Sequence, residues 1–226
     1  MSISAWPEHR PTAIAWDLDG TLVDSAFDLR TALNALLAGH GLDPLSLEAV
    51  RGMVGQGAAK LIERGFAARE QSIEPAKATR LVPEFLRLYG PVAVNETRPY
   101  PGIRDIVACL FTAGVPQVVC TNKPEAVSHQ ILQALDLARF FSCVIGGDST
   151  SRRKPDPLPL LTSLGQFDIE CQHCLMIGDS ATDVAAARAA GVPVTVVAWG
   201  YSRKPPRDLG ADYLLVDPRT QPPVWL

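Results

Sequence analysis

The chain has 226 residues, of which 47% are hydrophobic and 20% are charged, and its formal net charge is −3. This slight acidic excess argues against a nucleic-acid or anionic-membrane partner, because such partners bind basic surfaces. No apolar run approaches the roughly 20 residues of a membrane-spanning helix, and the N-terminal segment lacks the apolar region of a secretory signal. The five cysteines lie mostly in apolar runs, which indicates reduced thiols and a cytoplasmic protein.

The N-terminal part is predicted to be a short mobile extension over residues 1–11. An apolar run then ends at an acidic pair, Asp17 and Asp19. Residues two apart in an extended strand point to the same side, so we expect both carboxylates to face one site at the end of a strand. Neighbouring carboxylates repel each other unless a cation or a shared proton compensates. For the pair alone, a strand-end turn without function is the competing interpretation.

A long helical segment follows the acidic pair. Its apolar residues recur with helical spacing, and no strand-like run appears before Val118. A first predicted helix runs to about residue 39 with Asp24 as its candidate N-cap, and further helices cover about residues 46–51, 56–69 and 75–89. An all-helical detour of this length is not a simple crossover between parallel strands. We therefore predict a helical domain over residues 24–96, inserted into a core formed by residues 12–23 and 97–226.

From residue 100 onward, strands and helices alternate, which indicates an α/β fold with a Rossmann-like, doubly wound parallel sheet. Three further polar clusters follow predicted strands, namely Thr121 with Asn122, then Lys154, then Asp179 with Asp183. Ligands of such sheets bind outside the carboxyl ends of the strands, so we expect these clusters to converge on the acidic pair. Carboxylates, a hydroxyl, an amide and a lysine together suit a divalent cation and a phosphoryl group.

These motifs resemble the four-motif signature of the haloacid dehalogenase superfamily. The pattern DxDGT at 17–21 is followed in order by T-N, K-P and GDxxxD, and the resemblance extends from about residue 12 to about residue 216. The runs TNKP at 121–124, VIGGD at 144–148 and KPDP at 154–157, with Pro101-Gly102 ahead of the second core segment, are similar to the phosphoglycolate phosphatase branch. The resemblance implies that the inserted helical domain is a mobile cap that closes over the site.

The resemblance also implies a Mg²⁺-dependent phosphatase that forms an aspartyl-phosphate. Asp17 would be the nucleophile and a metal ligand. Asp19 would protonate the leaving oxygen and later deprotonate the hydrolytic water, and its backbone carbonyl would be a further ligand. Asp179 would bind the metal directly, and Asp183 would be either a ligand or a hydrogen-bonding partner of the ligands.

Three other residues would hold the phosphoryl group. Thr121 would donate a hydrogen bond from its hydroxyl and Asn122 from its backbone N–H. Lys154 would offset negative charge on both the phosphate and Asp17. The preferred metal stays open among Mg²⁺, Mn²⁺ and Co²⁺.

A glycine loop in the helical insertion is the candidate for substrate contact. By the same resemblance, Gly55 and Gly57 belong to a flexible cap loop that faces the site, and Arg51 and Lys60 flank this loop. Either cation could meet a substrate carboxylate, although solvent exposure is the commoner role of Arg and Lys side chains.

The branch implies a small phosphorylated metabolite as substrate, 2-phosphoglycolate, which would give glycolate and phosphate. A phosphatase for another small phosphometabolite or a phosphosugar is an alternative, as is a phosphosugar mutase of the same superfamily. A haloacid dehalogenase is disfavoured because Asp19 supplies an acid that carbon–halogen hydrolysis does not require. A non-catalytic binding module would be expected to have lost a carboxylate or the lysine. The sequence leaves open whether the protein is a monomer or a homodimer.

Overall fold

A computed structural model describes residues 4–225 of the chain. Its strands are β1 (Ala13–Trp16), β2 (Val23–Asp24), β3 (Arg98–Pro99), β4 (Gln117–Cys120), β5 (Cys143–Ile145), β6 (Cys174–Gly178), β7 (Val194–Val197) and β8 (Tyr213–Leu215). Its α-helices are α1 (Ala26–Gly39), α2 (Leu47–Arg51), α3 (Ala58–Ala67), α4 (Pro75–Tyr89), α5 (Ile103–Thr112), α6 (Glu125–Ala134), α7 (Leu158–Leu164) and α8 (Ala181–Ala190). Short 3-10 helices cover Gly90–Val92, Ala138–Phe140, Gly165–Phe167, Cys171–His173 and Pro206–Leu209. None of the helices between residues 4 and 225 combines the length and the apolar character needed to cross a bilayer.

Six of the strands form one parallel sheet, in the order β5-β4-β1-β6-β7-β8. The central strand β1 is apolar and buried along its whole length, as expected where both faces of a parallel sheet are covered. Its side chains alternate between two hydrophobic clusters, with Ile14 and Trp16 in one and Ala13 and Ala15 in the other. The predicted α/β fold with a Rossmann-like, doubly wound parallel sheet is confirmed.

Along the chain, helices α1 to α4 follow β2 and precede β3, and these two strands form a second, small sheet. Strands β2 and β3 pair antiparallel where the chain enters and leaves the helical segment, with Asp24 opposite Arg98. The sequence did not predict them, because strands of two residues show no periodicity. Since Asp24 belongs to β2, α1 begins at Ala26 with Ser25 as its N-cap residue. The N-cap residue is therefore one position after Asp24, the cap that the sequence predicts.

The four helices of the insertion follow the predicted segments and pack on one another. Helix α4 covers residues 75–89 as predicted, and the N-cap side chain of α2, Ser46, accepts a hydrogen bond from the Ala49 backbone N–H. The buried side chains of Leu33, Phe66 and Phe85 belong to the same hydrophobic cluster as Trp16 of the central sheet. The helical segment and the sheet therefore share a continuous apolar core.

The prediction of a mobile N-terminal extension is wrong for the part of it that the structure describes. Trp6 is only 2% exposed, and its indole N–H donates a hydrogen bond to the Gln221 carbonyl at 2.8 Å. Its ring meets the edge of Trp225, with ring centroids 6.1 Å apart. The Ser4 carbonyl accepts a hydrogen bond from the backbone N–H of Leu214 in β8. Residues 1–3 lie outside the described residues.

We predict that Trp6→Ala lowers the free energy of unfolding by about 3–5 kcal/mol, because it removes a buried aromatic side chain whose space cannot fully collapse. Urea denaturation of the two proteins measures this difference. His9→Ala is the matched control, since His9 is exposed on the same segment, and it should change stability by less than about 0.5 kcal/mol. Equal effects of the two substitutions would show that the N-terminal segment contributes nothing to the fold.

Candidate active site

Three buried aspartates meet at the carboxyl ends of two neighbouring strands. Asp17 follows β1, and Asp179 follows β6, the strand next to it in the sheet. The backbone N–H of Asp17 donates to the carbonyl of Ile177 at 2.8 Å, which fixes the two strand ends side by side. One carboxylate oxygen from each of Asp17, Asp179 and Asp183 lies within 4.8 Å of the others. The predicted convergence of the two acidic motifs is therefore seen in the structure.

A single buried lysine faces these carboxylates. The Nζ atom of Lys154 lies 3.0 Å from Asp17 Oδ1 and 2.6 Å from Asp183 Oδ1, and it donates to the Cys120 carbonyl at 2.6 Å. The side chain of Lys154 is only 1% exposed. The side-chain amide of Asn122 donates to the Lys154 carbonyl at 2.9 Å and holds this loop against the end of β4. The lysine thus stands where it can neutralise charge next to Asp17.

The pKa values of Asp17, Asp179 and Lys154 are all raised, as expected where buried carboxylates outnumber the cations beside them. Burial raises the pKa of Asp17 to about 6, while Lys154 acts to lower it and Asp183 to raise it. Burial, followed by repulsion from Asp183 and Asp17, raises the pKa of Asp179 well above its ordinary value. Burial lowers the pKa of Lys154, but the attraction of Asp17 and Asp183 outweighs it and the net shift is upward. Three oxygen-donor carboxylates with one ammonium are a donor set that fits Mg²⁺.

Asp183 is already engaged by hydrogen bonds from the protein. Its Oδ2 accepts from the Ser180 hydroxyl at 2.7 Å, from the Ser180 backbone N–H at 3.1 Å and from the Asp179 backbone N–H at 3.3 Å. The contact with the Ser180 backbone N–H is part of a capping box at the start of α8, and Asp183 Oδ1 accepts a hydrogen bond from Lys154. Of the two roles left open by the sequence, the arrangement favours a residue that positions Asp179 and Lys154.

Two glycines allow the backbone to approach Asp179. A side chain on Gly200 would place its Cβ 2.1 Å from Asp179 Cβ, and one on Gly20 would place it 2.6 Å from Asp179 Oδ2. Gly20 also has a φ of +86°, a left-handed conformation that favours glycine. Directly after Gly200, the backbone N–H of Tyr201 donates to Asp179 Oδ2 at 2.6 Å. The Gly200-Tyr201 turn therefore sets the orientation of the Asp179 carboxylate.

Asp19 contacts two residues to which the sequence assigned no role, and a third lies behind one of them. Lys123 Nζ lies 2.9 Å from Asp19 Oδ1 and 3.1 Å from Oδ2, and the Ser25 hydroxyl donates to Oδ1 at 2.5 Å. Lys123 also donates to the hydroxyl of Tyr89, the last residue of α4, at 2.8 Å. Burial raises the pKa of Tyr89 to about 12. Because Lys123 belongs to the TNKP motif, its place near the site could have been predicted from the sequence. Tyr89 is one residue on the apolar face of a helix, and no motif marks it.

Thr121 and Asn122 lie at the end of β4, beside the aspartates. The Thr121 hydroxyl oxygen accepts from the Lys123 backbone N–H at 3.2 Å, which leaves the hydroxyl proton for another acceptor. The Asn122 side-chain amide donates to Lys154 and to the Gly55 carbonyl. Because both hydrogen bonds of that amide nitrogen go to the protein, donation from Asn122 to a ligand would come from its backbone N–H, and this contact stays a prediction.

The glycine loop of the helical insertion lies against the aspartates, but its flanking cations do not. Gly55 and Gly57 line one cavity together with Asp17 and Asp19. A Cβ on Gly57, which has a φ of +84°, would lie 3.3 Å from the Asn122 carbonyl oxygen. The loop therefore touches the end of β4 directly.

Neither flanking cation lines this cavity. Arg51 Nη2 lies 2.6 Å from Asp24 Oδ2, and Lys60 Nζ lies 2.6 Å from Glu63 Oε1. The expectation that one of them could meet a substrate carboxylate here is therefore not supported by their positions. A nearby carboxylate already pairs with each cation, and the sequence alone does not reveal such local pairing.

The remaining wall of this cavity is apolar and comes from the helical insertion. Its side chains are those of Leu29, Val54, Ala58, Leu61, Phe85 and Leu86. The polar side chains of the cavity are those of the strand-end residues and Lys123 on its floor, together with the hydroxyl of Tyr89, which accepts a hydrogen bond from Lys123. The cavity thus suits a ligand with a short body and a charged head, since an apolar wall offers nothing to a hydroxyl-rich one.

We predict that Lys154→Met lowers the free energy of unfolding by about 3–5 kcal/mol at neutral pH in the absence of divalent metal, because Asp17 and Asp183 lose their buried counter-charge. Chemical denaturation in a metal-free buffer measures the effect. Lys204→Met removes an exposed lysine of the same core and should leave stability within about 0.5 kcal/mol. A loss below about 1 kcal/mol for Lys154→Met would contradict a cluster that is short of positive charge.

Comparison with known proteins agrees with these motifs. The model of the family described as Haloacid dehalogenase-like hydrolase matches residues 14–197. A phosphoglycolate phosphatase of Rhodospirillum rubrum is 45% identical over 206 residues, which cover 89% of this chain and 85% of that protein. One of Caulobacter vibrioides is 43% identical over 202 residues, with 89% and 85% covered.

A solved structure is similar over the same extent. The crystal structure of a predicted phosphoglycolate phosphatase from Haemophilus somnus superposes with a TM-score of 0.86 at 30% identity, and the match covers 93% of this chain and 96% of that one. The resemblance to the superfamily and to its phosphoglycolate phosphatase branch, predicted from the motifs, is confirmed. The chain belongs to the haloacid dehalogenase-like hydrolase family.

Proposed function

We propose that the protein is a Mg²⁺-dependent phosphatase that hydrolyses a small phosphate monoester, 2-phosphoglycolate in particular, through an aspartyl-phosphate. The observation that carries the proposal is the placement of Asp17, buried at a strand end with Lys154 Nζ 3.0 Å from its carboxylate and two further aspartates beside it. The names of the similar proteins from Rhodospirillum rubrum and Caulobacter vibrioides support the choice of substrate.

In the first half-reaction, a carboxylate oxygen of Asp17 attacks phosphorus. A bond forms between Asp17 and phosphorus, and the bond from phosphorus to the ester oxygen breaks. Asp19 gives a proton to the departing oxygen, which leaves as the hydroxyl of glycolate. Lys154 lies beside the attacking carboxylate and would reduce its repulsion from the phosphoryl group.

In the second half-reaction, water replaces Asp17 on phosphorus. Asp19, now a carboxylate, takes a proton from this water as its oxygen bonds to phosphorus. The bond between phosphorus and Asp17 breaks, so that phosphate is released and the Asp17 carboxylate is restored. One residue thus acts first as an acid and then as a base, which is why Asp19 must lie next to the ester oxygen.

Asp17, Asp179 and the backbone carbonyl of Asp19 would hold the Mg²⁺ ion. When bound, the ion supplies positive charge to the phosphoryl group and to the carboxylates around it. Asp183 would keep Asp179 and Lys154 in place through the hydrogen bonds described above. The donor set also suits Mn²⁺, and Mg²⁺ is the physiological ion that we propose.

Helices α1 to α4 would form the cap, with residues 24–96 as its extent and residues 12–23 and 97–226 as the core. The Gly55–Gly57 loop would close on the end of β4 and exclude water from the reaction. The apolar wall favours a small substrate over a phosphosugar, and it gives a mutase no polar groups with which to turn a sugar bisphosphate around. All five cysteines are free thiols, which supports a cytoplasmic location.

Asp17→Asn should abolish turnover while it preserves the fold, because an amide of the same shape is not a nucleophile. Steady-state release of phosphate measures the effect, and circular dichroism checks the fold. Asp148→Asn, at an aspartate of the neighbouring VIGGD motif that is exposed, is the control for a lost carboxylate. If Asp17→Asn kept more than about a tenth of the wild-type kcat, a loss of only ~1.4 kcal/mol, the aspartyl-phosphate route would be ruled out.

Removal of metal should silence the enzyme. We expect no activity in EDTA, recovery on addition of Mg²⁺, and a higher Mg²⁺ requirement for Asp179→Ala, because that substitution removes a direct ligand. Titration of activity with Mg²⁺ measures the requirement, and Asp208→Ala, at an exposed aspartate, serves as the control. Full activity in EDTA after exhaustive dialysis would contradict metal dependence.

A substrate panel tests the proposed function itself. We expect kcat/KM for 2-phosphoglycolate to exceed that for ethyl phosphate by about ten- to a hundred-fold, the value of one charge-assisted contact. A hexose 6-phosphate should be the poorer substrate because the apolar wall leaves its hydroxyls unpaired. Phosphate release with each ester under identical Mg²⁺ conditions gives the comparison. A clear preference for the hexose phosphate would overturn the assignment to phosphoglycolate while leaving the phosphatase chemistry intact, and isomerisation of it would indicate a mutase.

A further inference from the structure

The mechanism above leaves one buried cation without a role. Lys123 has a side chain that is only 3% exposed, and its Nζ atom contacts both oxygens of Asp19 and the hydroxyl of Tyr89. The ammonium also lies 4.6 Å from the centre of the Tyr89 ring. Lys123 comes from the core loop after β4, whereas Tyr89 ends the last helix of the insertion. The cation therefore stands at the contact between the core and the helical insertion.

Lys123 is the only cationic residue among those that line the cavity with Asp17, within the described part of the chain. Arg51 and Lys60 pair with acidic neighbours and do not reach it. Arg64 and Arg203 line a neighbouring cavity on the Asp179 side, which Asp19 and Gly55 also border but Asp17 does not. An anionic group that enters the cavity beside Asp17 meets the ammonium of Lys123 among the polar residues of the floor, while most of the opposite wall is apolar.

The chemistry of the ester places the carboxylate of the substrate beside Asp19, where Lys123 also lies. Asp19 must reach the ester oxygen to protonate it, so the two groups lie within a hydrogen bond of each other during the reaction. In a phosphorylated 2-hydroxy acid, only one carbon separates the carbon of the carboxylate from that oxygen. The carboxylate is thus confined to the immediate surroundings of Asp19, and Lys123 Nζ lies 2.9 Å from Asp19 Oδ1.

We propose that Lys123 binds the carboxylate of the leaving group and thereby determines the specificity of the enzyme for a phosphorylated 2-hydroxy acid, an inference that rests on the proposed phosphatase function. The ammonium bridges both oxygens of Asp19, so it can keep one of these contacts and give the other to the substrate. Tyr89 holds the ammonium from the cap side. Lys154 serves the phosphoryl end of the substrate, and Lys123 serves the other end.

This arrangement selects by charge rather than by size. A carboxylate next to a desolvated ammonium forms a charge-assisted hydrogen bond. An alkyl leaving group such as that of ethyl phosphate fits the same space but gives the ammonium no new partner. The contact should therefore raise kcat/KM for the carboxylate ester by about ten- to a hundred-fold relative to the alkyl ester.

Lys123→Met tests the inference through the ratio of kcat/KM for 2-phosphoglycolate to kcat/KM for ethyl phosphate. We compare kcat/KM for 2-phosphoglycolate and ethyl phosphate in the wild type and in the variant. Loss of the lysine also disturbs Asp19, which slows both esters alike, but only loss of the carboxylate contact changes their ratio. We expect the preference for 2-phosphoglycolate to fall from about ten- to a hundred-fold to within about three-fold.

A binding measurement separates recognition from chemistry. In an Asp17→Asn background, calorimetry should show that Lys123→Met weakens binding of 2-phosphoglycolate by about ten-fold or more and changes binding of ethyl phosphate by less than about three-fold. Arg64→Gln is the matched control, since it removes a cation of the other cavity, and it should leave the preference unchanged. Circular dichroism confirms that each variant is folded.

The outcomes distinguish this inference from the function on which it rests. A wild type that shows no preference for 2-phosphoglycolate over ethyl phosphate overturns the proposed substrate. A wild type with that preference, combined with a Lys123→Met variant that keeps it in both measurements, overturns the role of Lys123 and leaves the substrate standing. A preference that disappears in Arg64→Gln but persists in Lys123→Met would place the carboxylate in the other cavity.

Discussion

The structure of the site depends on an imbalance of buried charge. One carboxylate oxygen from each of three aspartates lies within 4.8 Å of the others, yet among residues 4–225 only Lys154 faces them as a counter-charge. Such a cluster would be costly without its supports. Parallel strands bring Asp17 and Asp179 side by side, glycines let the backbone close on Asp179, and the capping box of α8 fixes Asp183. These supports hold the carboxylates where, in the proposed mechanism, a divalent cation and a phosphoryl dianion would complete the charge balance.

In the proposed mechanism, two buried lysines bind opposite ends of the substrate. Lys154 lies beside Asp17 and would bind the phosphoryl end, whereas Lys123 lies beside Asp19 and would bind the leaving group. Phosphoryl chemistry can then be common to the family, whereas selection of the leaving group depends on the cavity wall and on one cation. Tyr89 connects the second lysine to the helical insertion. Closure of that insertion would thus bring together the apolar wall, the ammonium and the acid in one step.

Prediction from the sequence succeeded where topology governs position. Residues at the carboxyl ends of parallel strands must meet, so Asp17, Thr121, Lys154 and Asp179 could be brought together from motifs alone. Prediction failed for side chains whose ion-pair or hydrogen-bond partner is a residue that no motif marks or that lies far away in the sequence. Arg51 and Lys60 pair with carboxylates that no motif marks, and the indole of Trp6 binds a carbonyl 215 positions later. Neither kind of contact leaves a periodic signal in the sequence.

The most direct test of this account is detection of the phosphoryl group on Asp17. The enzyme is mixed with 2-phosphoglycolate and Mg²⁺, quenched in acid during turnover, and digested for mass spectrometry. We expect the peptide that contains Asp17 to carry one added phosphoryl group, and release of glycolate to precede release of phosphate. Turnover with glycolate and phosphate released together, and with no adduct on that peptide at any quench time, would contradict the role of the Asp17 carboxylate as nucleophile.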